Sequence, residues 1–285
     1  MRIFVLKIFR KFWSTLQIPT LRDVSGIKLW LPPEHLLPKY KKKYPLYDEF
    51  LPVLAVKLPV RSCVIDIGAN VGDTCLSMYK TNSSLNFICV EPDLKFFQYL
   101  KFNTRKIPTQ NVRNIKLMVT SLKGSFKLSG GGGTKSMKKS RVIKVKKGSL
   151  DDLLEQEKPK SIISLIKIDI DGYDYDVILS GKESISRIKP LIYSEFMFRD
   201  LTSLDNYLKS VFFLIGVGYS YAYLFRNTGE FEISMNVSAL EEYLRLNVDS
   251  FNQFSKVSYF DILLAPENYI ETVESAIKIY KEKCI

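Results

Sequence analysis

Asp66, Gly68, Asn70 and Gly72 carry the densest chemical signal in the chain, reading Asp-Ile-Gly-Ala-Asn-Val-Gly directly after the apolar run Cys63-Val-Ile. An apolar, β-branched run that stops at small residues predicts a buried strand breaking into a tight turn that opens a helix. Glycine lets the backbone of such a turn approach a ligand, and the helix N-terminus offers unpaired N–H groups to polar or anionic atoms. The same turn can also be no more than a tight strand-to-helix connection. Glu91 adds discrimination. It follows a second apolar run, Leu85 to Val90, about twenty residues after the turn, where an acid can accept the hydroxyls of a ribose. The turn is not Gly-x-Gly-x-x-Gly, and Asp66 would repel a pyrophosphate, whereas a carboxylate suits a cationic sulfonium with an amino-acid tail. The residues therefore favour S-adenosylmethionine, with NAD as the alternative.

A second set of acids lies further along. Ser161 to Ile170 is apolar apart from Lys167 and Asp169 and runs into Asp171-Gly-Tyr-Asp174; Pro190 to Glu195 is another strand that ends in a carboxylate. Charges inside a buried strand are costly unless they pair or serve a site. In open parallel sheets the strand ends face the ligand crevice, so Asp169, Asp171 and Glu195 should converge there beside the cofactor. The structural alternative is that Lys167 pairs with a carboxylate and Asp171 caps the following helix. His35, the single histidine, follows Pro32-Pro33 and reads as a surface loop residue. Removal of an acceptor's proton then falls to a carboxylate, or to a divalent cation that lowers the acceptor's pKa.

Asp66 to Gly72, Glu91-Pro92, Lys167 to Asp174 and Pro190 to Glu195, in that order and at those separations, resemble the FkbM-type methyltransferases over roughly residues 60 to 266. The resemblance implies an α/β fold, a doubly wound, seven-stranded, Rossmann-like class I methyltransferase sheet with an N-terminal helical extension. It implies a methyl donor held by Asp66, Gly68, Asn70, Gly72 and Glu91. In such a fold Thr120 and Ser121, at the end of a strand over Asn114 to Val119, meet the adenine edge. Asp169, Asp171 and Glu195 are the catalytic candidates. The family's second and last acids of the Asp-x-Asp-Gly-x-x motif are commonly glutamates. Here Asp171 and Asp174 shorten the reach and disfavour a fixed metal geometry.

The remaining elements must position these groups. Residues 1–60, rich in proline and tyrosine with a basic run at Lys41 to Lys43, read as an extension or lid that includes a helix over Tyr47 to Lys57. Residues 61–268 form the methyltransferase domain, and 269–285 a terminal amphipathic helix with Ile270, Val273, Ile277 and Tyr280 on one face. Gly130 to Gly133 lacks a Walker pattern and reads as a mobile loop at the pocket mouth, followed by a strand over Arg141 to Val145. Ser149 is the N-cap of a helix. A helix over Leu204 to Phe213 and strands near Tyr219 to Leu224 and Tyr259 to Leu264 close the sheet.

The composition bounds the partners. Forty-two Lys and Arg against thirty Asp and Glu give a net charge of +12, which suits an anionic membrane, nucleic acid or acidic glycan, or simply a solvated lysine surface. Cys63, Cys75, Cys89 and Cys284 show no metal spacing and read as reduced thiols of a cytoplasmic protein. Met1 to Trp13 mixes basic with bulky apolar residues and cannot span a bilayer. It reads either as a peripheral anchor on the inner face of the membrane or as a packed helix. Where base-amino methyltransferases carry an Asn/Asp-Pro-Pro-aromatic motif the chain has Asp169-Ile-Asp-Gly, and no cysteine stands ready as a pyrimidine nucleophile, so a nucleic-acid acceptor is disfavoured. The expected activity is O-methylation of a sugar hydroxyl in a surface glycan or related small molecule. A non-catalytic binding module is opposed by the intact acids.

Overall fold

The computed structural model describes residues 18–123, 126–129, 136–139, 145–198, 201–254 and 259–283. Gly130 to Gly133, Arg141 to Lys144, Met1 to Trp13 and Cys284, on which the sequence raised expectations, lie outside these residues. The apolar runs form the centre of a mixed sheet: Cys63–Ile67 (β1), Asn86–Val90 (β2), Val112–Ile115 (β3), Ile163–Ile168 (β4) and Leu191–Phe196 (β5) are parallel. Tyr219–Arg226 (β6), Phe231–Asn236 (β7) and Phe260–Pro266 (β8) complete it, giving the order β7-β6-β8-β5-β4-β1-β2-β3. The last strand in sequence inserts antiparallel between β5 and β6.

Two sequence expectations change here. Among the described residues the sheet has eight strands, not seven, because β7 adds to the edge of β6. An edge strand half open to water alternates apolar with polar residues too weakly to stand out. The strand expected over Asn114 to Val119 is split: β3 ends at Ile115, and Met118–Val119 leaves the sheet to pair in parallel with Lys147–Gly148.

Period-two alternation sorts the strand side chains into two layers. Val64, Leu165 and Leu191 face the helices Phe50–Lys57 (α2), Asp73–Thr81 (α3), Leu94–Asn103 (α4) and Ile270–Lys283 (α10). Ile65, Ile166 and Ile192 face the helices Leu150–Glu157 (α5), Asp174–Ser180 (α6), Lys182–Ile188 (α7), Leu201–Gly216 (α8) and Leu240–Phe254 (α9). The extension joins the first layer. Its hairpin Thr20–Val24/Ile27–Leu31 and α2 bury Leu29, Leu31, Leu51 and Leu54 there, after a short helix Leu37–Lys43 (α1). Asn103 stitches hairpin to turn: it accepts from the Trp30 N–H at 2.9 Å and donates to the carbonyls of Trp30 at 3.0 Å and Val71 at 2.9 Å. Ser149 caps α5 in a capping box with Asp152. Among the described residues no helix is long and apolar enough to cross a membrane.

Candidate functional site

The turn after β1 is shaped by one glycine above all. Gly68 has φ +83°, and a Cβ there would lie 1.9 Å from the Asp169 carbonyl oxygen, so only glycine lets the ends of β1 and β4 come this close. The N–H groups of Gly68 and Ala69 donate to the Val90 carbonyl at 2.9 and 3.0 Å, drawing the turn against the end of β2. Glu91 then receives the Asn70 N–H on Oε2 at 3.0 Å and the Asp93 N–H on Oε1 at 2.7 Å. Burial outweighs these contacts and pushes its carboxyl up to about 7.

Gly68, Asn70, Glu91, Asp169, Asp171 and Glu195 all line one cavity of about 720 Å³ at the C-terminal edge of the parallel strands. Glu91 and Glu195 end β2 and β5, three strand spacings apart, or about 14 Å. The cavity therefore reaches across the ends of β2, β1, β4 and β5.

Four other predicted residues do not line it. Asp66 is buried beneath Lys167, 3.3 Å from its Nζ, because the two face each other across β1 and β4. Its carboxylate holds Lys167 rather than facing a ligand. Gly72 starts α3 with φ +84° and packs against Leu100 and Thr104 of the α4 end. Thr120 and Ser121 turn away to bind Asp176: Thr120 donates to its Oδ2 at 2.5 Å, the Ser121 N–H donates to the same atom at 3.1 Å, and the Ser121 hydroxyl to Oδ1. The wall on that side is instead Leu117, Met118 and Val119, an apolar slot.

Lys167 sits between Asp66 and Asp169, its Nζ 3.1 Å from Asp169 Oδ2. Burial disfavours its charge, but the carboxylates of Asp169, Asp66, Asp48 and Asp73 outweigh it and hold the ammonium well above its usual range. Asp169 keeps 40% of its side chain open to the cavity. Glu195 is 7% exposed and its Oε2 has no hydrogen-bond partner. Burial first, then the charges of Asp169 and Asp174, pushes its carboxyl well above the usual range. Among the described residues no three His, Cys, Asp or Glu side chains gather as a ligand set for a metal ion, so the divalent cation has no built site among them.

The extension supplies further residues, among them His35 and Asp48, which the sequence offers only as reserve candidates for the base. His35 lines the cavity instead of lying on the surface: its Nδ1 accepts the Leu37 N–H at 3.3 Å, which leaves the ring proton on Nε2 to donate to Asn70 Oδ1 at 3.2 Å. Asp48, at φ +54°, lines it too, and burial pushes its carboxyl up to about 7. Tyr47, Tyr259, Asn227 and Thr228 line it as well. The positive φ of Asp48 is a property of the folded turn and leaves no mark in the sequence.

A parallel core closed by one inserted antiparallel strand, with a ribose-type acid and a carboxylate-rich cavity at its C-terminal edge, defines a class I methyltransferase. Residues 66–223, more than half of the chain, match the methyltransferase FkbM domain, and the chain belongs to this family of S-adenosylmethionine-dependent methyltransferases. Among solved structures, the methyltransferase FkbM from Methylobacillus flagellatus KT is 17% identical with a TM-score of 0.41, over 61% of this chain and 45% of its own. The present chain thus spans less than half of that protein's length. Precorrin-6y C5,15-methyltransferase from Geobacter metallireducens GS-15 is 13% identical with a TM-score of 0.41, over 76% and 86%. M. jannaschii TYW2, solved in complex with AdoMet, is 10% identical with a TM-score of 0.49, over 86% and 84%. No curated protein matches the chain.

Proposed function

We propose that the chain methylates a hydroxyl of a sugar, in a surface glycan or a related metabolite. The observation that supports this reading is the two-ended cavity: Glu91 above the Gly68 turn at one end, and Asp48, Asp171, Glu195 and Tyr259 at the other, with Asp169 between. When bound, S-adenosylmethionine supplies a methyl group on a positively charged sulfur. Glu91 suits its ribose, since the two backbone N–H groups leave each carboxylate oxygen a lone pair for a hydroxyl. The apolar slot of Leu117 to Val119 suits its adenine.

The chain's further task is to align the acceptor and take its hydroxyl proton. Asp169 is assigned that proton, being open to the cavity and fixed in place by Lys167. Asp48 is the second carboxylate in position, and burial brings it to about 7, where a general base is most effective. Asp171 and Glu195 position the acceptor. His35 takes no part in the proton transfer, because its Nε2 proton is engaged by Asn70.

The experiment is incubation with methyl-labelled donor and a panel of oligosaccharides, RNA and DNA. Label on an oligosaccharide oxygen is expected, and label found only in nucleic acid overturns the reading. Asp169→Asn should abolish transfer with donor affinity kept within about threefold. If Asp169→Asn stays active while Asp48→Asn removes an acid limb near pH 7, the base is Asp48.

A further inference from the structure

The cavity is acidic inside a basic protein. Against the net charge of +12 for the whole chain, its lining carries six carboxylates and two lysines. Neither lysine serves the acceptor end. Lys167 is held between Asp66 and Asp169, and Lys43 is exposed at the rim, with its Nζ 4.8 Å from the centre of the Tyr44 ring. Lys41, on the same helix as Lys43, is ion-paired with Glu49 at 2.8 Å. Among the described residues no basic side chain forms a close ion pair with Asp48 or Glu195, although Lys41 and Lys167 act on Asp48 from further off.

Glu195 is the decisive residue. It is more than nine-tenths buried, lines the cavity, and leaves Oε2 without a hydrogen-bond partner. Its register neighbour across β5 and β8 is another acid, Asp261, so the surroundings add negative charge rather than relieve it. A buried polar atom without a partner needs an explanation, and at a residue that lines a cavity a ligand is one. A neutral hydroxyl would satisfy the oxygen, whereas an ammonium would in addition favour the ionised carboxylate that burial disfavours. Burial first, and then the neighbouring acids, raises the carboxyls of both Glu195 and Asp261. Tyr47 and Tyr259 line the cavity too, the Tyr47 ring being stacked on Tyr40 with Lys41 Nζ 5.8 Å from its centre.

We infer that the acceptor carries a protonated amine, seated on Glu195 with Asp48 nearby, so that the preferred substrate class is an amino sugar or amino-glycan. This rests on the glycan reading above and narrows it. The charge pattern works against acidic glycans inside the cavity, although the outer surface of the chain is basic.

The test is calorimetric titration of the S-adenosylhomocysteine-loaded protein with a chitosan tetramer at a pH that protonates its amines, and with the fully N-acetylated tetramer. The chitosan tetramer should bind at least about tenfold more tightly. Glu195→Gln should bring the two within about twofold while S-adenosylhomocysteine affinity stays the same. Should that variant fail to fold, Asp48→Asn takes its place and should lower the preference at least about threefold. Equal affinity for the tetramers, or tighter binding of the acetylated one, overturns the inference. Binding of neither tetramer, with spermidine bound in a Glu195-dependent way, keeps the amine seat and removes the glycan reading. Binding of none of the three overturns the amine seat itself.

Discussion

The backbone N–H of Asn70 donates to Oε2 of Glu91 at 3.0 Å, joining the turn after β1 to the acid that ends β2. Asn70 makes this contact from φ +49°, a conformation that its short polar side chain tolerates better than most. The same residue's side chain meets His35 from the extension. One asparagine therefore connects the turn, the ribose-type acid and the segment that covers them.

The state of Glu91 predicts a pH dependence. Its carboxyl lies at about 7 in the ligand-free protein, mainly through burial, against an ordinary value of 4.5. Ribose hydroxyls donate to the ionised form, so donor binding below pH 7 must expel a proton. S-adenosylhomocysteine affinity should fall by up to about tenfold per pH unit below that point. Stability runs the other way. Between pH 4.5 and about 7 the folded chain keeps a proton here that the unfolded chain has released, so this group's contribution is greatest at the acid end and declines as pH rises through the window. Calorimetry and melting curves at pH 5.5 and 8 check both signs, and Glu91→Gln should flatten both trends.

Gly68→Ala is expected to be among the most damaging small substitutions. The new Cβ would stand 1.9 Å from the Asp169 carbonyl in a left-handed backbone, and backbone cannot move aside as a side-chain tip can. A loss of about 3 kcal/mol or more in urea denaturation follows. Gly216→Ala, with nothing within 4 Å of its would-be Cβ, should change stability by less than about 1 kcal/mol. Equal effects at the two positions would contradict the close approach of β1 and β4.

Lys167→Met should strand a buried Asp66, which is 1% exposed and has no other ion-pair partner among the described residues, at about 3–5 kcal/mol. Asp66→Asn combined with Lys167→Met should recover part of that loss, since the charge goes with its partner. A single variant as stable as the wild type would mean that the ion pair contributes nothing.

The strand-turn-helix at Gly68 and the acids ending β2, β4 and β5 were legible because each is a local pattern: an apolar run, a breaker, a carboxylate. What the sequence could not show is which neighbour claims a polar side chain. Asp66 and Lys167 lie 101 residues apart yet face each other in the sheet, and Thr120 and Ser121 are claimed by Asp176 of α6. Both read as ligand contacts until those partners appear. His35, Asp48 and Tyr259 reach the cavity from segments whose path depends on packing, such as the Asn103 stitch beneath the hairpin. β7 was missed for a different reason, its weak alternation at an open edge.

His35→Ala tests the extension's hold on the turn. Losing the Asn70 contact should weaken S-adenosylhomocysteine binding by about 1 kcal/mol, with a comparable or smaller loss of stability. An unchanged affinity in calorimetry would reduce His35 to packing against Phe96, whose ring centre lies 5.8 Å away.

The most direct measurement of the account is the affinity of Glu91→Ala for S-adenosylhomocysteine, measured by calorimetry at pH 8, where the wild-type carboxylate is ionised. If Glu91, held by the N–H groups of Asn70 and Asp93, receives the ribose, binding should weaken by about 1.5–3 kcal/mol while the fold persists. An affinity equal to that of the wild type would contradict it and place the ribose elsewhere in the cavity.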